Sequence, residues 1–185
     1  MSQFIAKKNL PDDAKAAGAG LRQIREVQLQ PGEILYRYSS TVTPWRPHST
    51  MPTELYGSSP WWFRERYLTA ILGSWTQFDE GFRARVNLAV QQGWKSRMDV
   101  RVKARVTSPL RAFEGLPRKQ FPETPEEIAP NGMRWVMGGN VNVLQLYIPG
   151  INDRGGLTAL GRSSLKVLEY HGVSSQQIWD PYPSS

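Results

Sequence analysis

The chain has no cysteine, which removes disulfide frameworks, thiolate nucleophiles and Cys-built zinc sites. Its two histidines, His48 and His171, are too few for a His-rich metal centre, and no metal is expected. Long apolar runs are missing as well. Val141 to Ile148 is interrupted by Asn142 and Gln145, far short of the ~20 residues that a membrane span requires. Met1 to Lys8 lacks the apolar stretch of a signal peptide. There is no G-x-x-x-x-G-K-[ST] loop and no G-x-G-x-x-G opening a helix. Gly138-Gly139-Asn140 reads as a turn between strands. No G-x-S-x-G elbow is present to build a serine triad. A His48/His171 acid–base pair, as in a metal-free ribonuclease, stays open on residue type alone.

What is present is basic and aromatic. The 185 residues carry 23 Lys and Arg against 16 Asp and Glu, a net charge of +7, with seven Trp. A length in the range of roughly 100–200 residues suits one domain. The charge suits an anionic partner: nucleic acid, a phosphate-bearing small molecule or an acidic protein.

Residues 1–32 read as an N-terminal helical arm, opened by Pro11-Asp12-Asp13, weakened by Gly18 and Gly20, and ending at Pro31-Gly32. Residues 33–185 read as a single domain. Ile34 to Ser39 is a short strand of strand-forming residues. Thr43 to Tyr56 is a Pro-rich loop. Ser59-Pro60 has the pattern of a helix start, with the helix running to about Leu72. Phe82 to Val90 gives a second helical period. Met98 to Thr107 alternates apolar Val100, Val102, Ala104 and Val106 with Asp99, Arg101, Lys103 and Arg105, a half-buried strand with a basic outer face. Arg111–Glu114, Met133–Met137, Val141–Ile148 and Leu165–Tyr170 are further strands, and Thr124-Pro125-Glu126-Glu127 caps a short helix. Short strands with helices gathered in the first half predict an α+β fold.

Three features carry chemistry. Arg37 is a permanent cation inside an apolar strand: it either meets an anion bidentately, or the strand is an edge and Arg37 faces water. Tyr56-Gly57-Ser58-Ser59-Pro60-Trp61-Trp62-Phe63 puts two hydroxyls and three consecutive aromatics beside a helix start. That arrangement suits an anion and a flat heteroaromatic ring, or simply a core helix. Gln145 is the polar residue of Val143 to Ile148, and its amide needs partners, from a ligand or from the protein itself.

In this order the three features resemble the split active site of the ADP-ribosyltransferase-like fold. The shared points are an Arg on the first strand in Leu35-Tyr36-Arg37, a Ser-bearing segment in Gly57-Ser58-Ser59-Pro60, and a late strand with its key residue four before Pro149-Gly150. That place holds Gln145 instead of a glutamate, and Val143 stands where the first of the family's paired glutamates would be. With the Leu35 to Ser40 pattern, this is similar to NAD-glycohydrolase toxins of the necrotizing-toxin type. The resemblance implies split mixed or antiparallel sheets and NAD or NADP as substrate. It implies Arg37 and Gln145 as catalytic residues, with Tyr38, Ser58, Ser59, Trp61, Trp62 and Tyr147 binding substrate. It also implies an acidic immunity or inhibitor protein as partner. The chain would then act in the cytoplasm, or in a target-cell cytosol after export without a conventional signal peptide. A neutral amide cannot activate an acceptor, so hydrolysis is expected over transfer of ADP-ribose to protein or nucleic acid. A non-enzymatic nucleic-acid-binding module, using Arg101, Lys103 and Arg105, is the reading from another class.

Overall fold

The computed structural model describes residues 3–43, 46–90, 97–120, 141–153 and 156–175. The elements run, in chain order, α1 (Lys15–Gly20), β1 (Leu21–Leu29), β2 (Ile34–Ser39), β3 (Val42–Thr43), β4 (Arg46–Thr50), β5 (Trp61–Arg64), α2 (Leu68–Gly73), α3 (Glu80–Asn87), β6 (Val100–Val106), β7 (Leu110–Pro117), β8 (Gln145–Tyr147), β9 (Asn152–Asp153), β10 (Gly156–Leu157), α4 (Ala159–Ser164) and β11 (Leu165–Gly172). Seven strands form one sheet in the order β1-β7-β8-β5-β2-β6-β11, and each neighbouring pair in it is antiparallel. The class is α+β. Of the expected split mixed or antiparallel sheets, the antiparallel pairing is found, but seven strands join in one sheet with two small two-stranded sheets beside it.

Register assigns the two faces. Leu35, Trp62, Val102, Ala104 and Leu146 pack in one cluster with Tyr56, Ile148 and Ile151, so the loops around those three residues cover that face. Tyr36 and Phe63 point the other way, under Ile71 of α2 and Ala84 of α3. Further along the same face, Phe113, Leu21 and Ile24 pack under Leu10, Ala14 and Ala17. Two separate helical patches therefore sit on one side of the sheet.

Several elements depart from the sequence expectation. Residues 21–29, expected within the helical arm, form edge strand β1 along the whole of β7. A bulge lies between Arg22 and Arg25, with Gln23 at φ 53°, and it breaks the alternation that would have marked a strand. Gly115 faces the bulge, where a Cβ would come 2.7 Å from the Arg22 carbonyl oxygen. Ser59-Pro60 opens no helix. Trp61–Arg64 is β5, held by β2 on one side and β8 on the other, as three aromatics in succession favour. The Ser59 hydroxyl accepts from the Trp61 N–H at 3.3 Å and closes a turn instead. Helix begins only after the 3-10 turn Glu65–Tyr67. The Pro-rich loop contains the small β3–β4 hairpin, and of Val141–Ile148 only Gln145–Tyr147 pairs as strand. The helix expected after Thr124, the strand Met133–Met137 and the Gly138-Gly139-Asn140 turn lie outside the described residues.

Helix α3 shows how local sequence fixes a boundary. The Asp79 carboxylate accepts from the Phe82 N–H at 2.9 Å and caps its start. At its end the Val90 N–H reaches the Arg85 carbonyl and the Ala89 N–H reaches Val86, the paired bonds of a Schellman turn. That turn wants glycine at the left-handed position, and here Ala89 occupies it with φ 51°.

Candidate functional site

β2 and β5 pair only at Leu35–Arg64 and Tyr36–Phe63. The next residues along, Arg37 and Tyr38 on β2 and Trp62 and Trp61 on β5, lie where the two strands part. A cavity of about 240 Å³ sits at this fork, bordered by the ends of α1 and α3 on the helical face and by Arg37 and Trp62, which alternate with Tyr36 and Phe63 toward the other face. Its walls include Arg37, Tyr38, Trp61, Trp62, Phe63 and Ser59 from the fork, Gln145 from β8, Leu88, Ala89 and Val90 from the end of α3, together with Met98, Gly20 and Gln120.

Arg37 is 4% exposed, and its Nε and Nη1 are buried without a hydrogen-bond partner among the described residues. Its neighbour is the Trp62 ring, 5.7 Å from the guanidinium carbon. A cation–π contact of this kind contributes about 2 kcal/mol when desolvated, less than the several kcal/mol that burying a lone ion costs. Burial pushes the guanidinium down to about 9, so it is still cationic at neutral pH. Trp62 is fixed from its other end, its indole N–H donating to the Ser59 carbonyl at 2.7 Å.

Gln145 is also buried, and its Nε2 donates to the Leu88 carbonyl at 2.6 Å. The amide thus ties β8 to the end of α3, satisfying a carbonyl that the helix terminus leaves open. Among the described residues no donor reaches its Oε1, and the residue still lines the cavity. The Tyr38 hydroxyl donates to Glu80 at 2.8 Å, and Glu80 also binds Arg101 at 2.5 Å. Desolvation and the Glu80 carboxylate push the Tyr38 phenol well up, so Tyr38 is a neutral wall and not a base.

Of the eight residues expected at the site, Arg37, Tyr38, Ser59, Trp61, Trp62 and Gln145 line one cavity, whereas Ser58 and Tyr147 do not. The Ser58 hydroxyl donates to the Leu55 carbonyl at 2.7 Å. Tyr147 stands behind Trp61, edge to face at 5.0 Å between ring centres. The expected helix N-terminus at Ser58–Ser59 does not exist, so it offers no N–H groups to an anion. Sequence reasoning missed the wall from Leu88 to Val90 and Gly20, which reach the cavity through tertiary packing that no local pattern encodes.

The basic strand face is largely engaged within the protein. Arg101 pairs with Glu80, and Lys103 lies 3.8 Å from Glu65 and over the Tyr36 ring at 5.6 Å. His171 is on β11 with its Nδ1 3.8 Å from Glu169, away from the cavity lining. The side chain of His48 lies outside the described residues. Among the described residues no group of three His, Asp or Glu could hold a metal, and no helix is long and apolar enough to cross a membrane.

No protein-family model matches the chain, and no curated protein matches it. Among solved structures it is similar to "Rhs1-CT in complex with cognate immunity protein RhsI1", with a TM-score of 0.47 over 83% of this chain and 84% of that one, at 17% identity. A likeness at that level assigns no activity.

Proposed function

We propose that the chain is an NAD(P)+ glycohydrolase of the toxin or effector kind, binding the nicotinamide end of the dinucleotide in the cavity at the fork. One observation carries this reading. The guanidinium of Arg37 is buried, cationic and, among the described residues, unpaired, beside a cavity walled mostly by aromatic and aliphatic groups with Ser59, Gln120 and Gln145 as its other polar residues. A buried charge without a counter-ion is costly, and a diphosphate met by a planar guanidinium fork is the chemistry that offsets it. The volume lies below the roughly 300–1,000 Å³ of pockets that engulf a whole ligand, so it takes one end of a dinucleotide.

The reaction suits these walls. The bond that breaks joins the ribose C1′ to the nicotinamide nitrogen, and its electron pair returns to a pyridinium. Nicotinamide therefore leaves neutral and needs no proton from an acid. Among the described residues lining the cavity there is no carboxylate and no histidine, and positioning with electrostatics suffices for such a step. Arg37 holds the diphosphate, the Trp61 and Tyr38 side flanks the ring, and Gln145 Oε1 accepts from a ribose hydroxyl. Water adds to C1′ and releases its proton to solvent, giving ADP-ribose. An acidic inhibitory partner, in keeping with the net charge of +7, belongs to the same proposal.

The test is nicotinamide release from NAD+ and NADP+ by the purified chain, with carbonyl-labelled and adenine-labelled substrate. Free ADP-ribose is the expected product. Label retained on a macromolecule would replace hydrolysis by transfer. No release above background, or full activity in Arg37→Met, would overturn the assignment.

A further inference from the structure

Trp61 and Trp62 are neighbours in sequence but not equivalent as ligand surfaces. Trp62 is buried, its N–H is engaged by Ser59, and the Arg37 guanidinium lies over its ring. Trp61 is partly exposed, borders the cavity and is backed by Tyr147. Against it comes Gly20, the last residue of α1. A Cβ on Gly20 would lie 2.6 Å from the Trp61 Cη2 and 3.2 Å from Cζ2 and Cζ3.

Backbone conformation gives no reason for glycine there. Gly20 is not among the glycines with positive φ, and within a helix alanine is favoured over glycine by about 1 kcal/mol. What the position requires is the absence of a side chain, so that the helix end can lie directly against an indole. Tyr147 also packs on the ring, so two of its sides are held, and Trp61 lines the cavity.

Resting on the function proposed above, we infer that Gly20 is a positioning residue. By admitting the end of α1 against Trp61 it sets that indole as the cavity wall on which the substrate's flat ring lies. A methyl group at position 20 pushes the indole into the space that the ring would occupy. Misplacement of a positioning group by an ångström costs up to about a hundredfold in rate or affinity.

The experiment has two arms. The first needs no ligand: the Trp61 indole N–H resonance, assigned by its loss in Trp61→Phe, is compared in wild type, Gly20→Ala and Gly73→Ala. Gly73 also ends a helix, but a Cβ there meets nothing within 4 Å. The resonance is expected to shift in Gly20→Ala alone. Should Gly20→Ala fold poorly, the Gly20→Ala/Trp61→Phe double variant is expected to recover its melting temperature, because the smaller ring vacates the contact. An unmoved resonance, or no recovery in the double variant, overturns the role of Gly20. The second arm is kinetic: KM for NAD+ is expected to rise about tenfold in Gly20→Ala with kcat changed much less, the pattern of lost ground-state binding. A shifted resonance with unchanged KM overturns Trp61 as the substrate wall. A wild type that releases no nicotinamide removes the substrate half along with the proposed function, while the first arm still decides what Gly20 does to the ring.

Discussion

Two buried charges on the same face of the sheet are treated in opposite ways. Glu114 of β7 is 1% exposed and meets Arg25 at 2.5 Å and Arg66 at 3.7 Å, with Arg64 also paired to it. Arg64 in turn holds Glu33 at 2.9 Å. Arg37, three strands away on β2, has no carboxylate and two orphaned nitrogens among the described residues. The first arrangement shows that this fold readily supplies counter-ions to a buried charge where stability requires them. Among the described residues none is supplied at Arg37, which agrees with the proposal that this side chain serves binding and not stability.

The largest effect should come from breaking the satisfied cluster. Glu114→Ala strands up to three arginines, and a loss of about 3–5 kcal/mol, read by urea unfolding, is expected. At Arg37 the sign reverses. Arg37→Met removes an unpaired ion and is expected to leave stability unchanged or raise it by about 1–3 kcal/mol, while abolishing nicotinamide release. A large destabilisation there would mean that a protein partner had satisfied the guanidinium all along. Between these extremes, Gln145→Leu loses the bond to the Leu88 carbonyl and is expected to cost about 1–3 kcal/mol, because it leaves a buried acceptor open. Gln145→Ala should in addition raise KM if Oε1 serves the ribose. The smallest change is Ala89→Gly, expected to stabilise by up to about 1 kcal/mol in a thermal melt, since glycine relieves the left-handed strain of the Schellman turn. The pH profile adds a sharper contrast. With burial lowering Arg37 to about 9, NAD+ affinity should be level near neutral pH and decline as pH passes that value. In Arg37→Met that decline should vanish.

The same contrast explains what could be read from the sequence. β2 and β6 were legible because strand formers and a clean alternation leave one reading, and Arg37 stood out as the charge that the pattern could not absorb. β5 was not, because Ser59-Pro60 imitates a helix start while the aromatic run after it prefers a strand, and tertiary pairing on both sides decided the outcome. β1 was hidden by its bulge, since one extra residue at Gln23 shifts every later side chain to the other face. Gln145 was recognised as anomalous, yet its bond to Leu88 connects residues far apart in sequence, which no local pattern predicts. The fork itself follows from strand order, and Leu88, Ala89, Val90 and Gly20 reach it only through the packing of two helices.

Whether Arg37 waits for a ligand's phosphates is tested most directly by calorimetric titration of wild type and Arg37→Met with ADP-ribose, the uncleavable half of the proposed reaction. Saturable binding by wild type, weakened at least about tenfold in a folded Arg37→Met, is the predicted result, in line with the 1.5–3 kcal/mol of a hydrogen bond to a charged group. Equal affinity in the two proteins, or no binding to wild type at millimolar ligand, would contradict it.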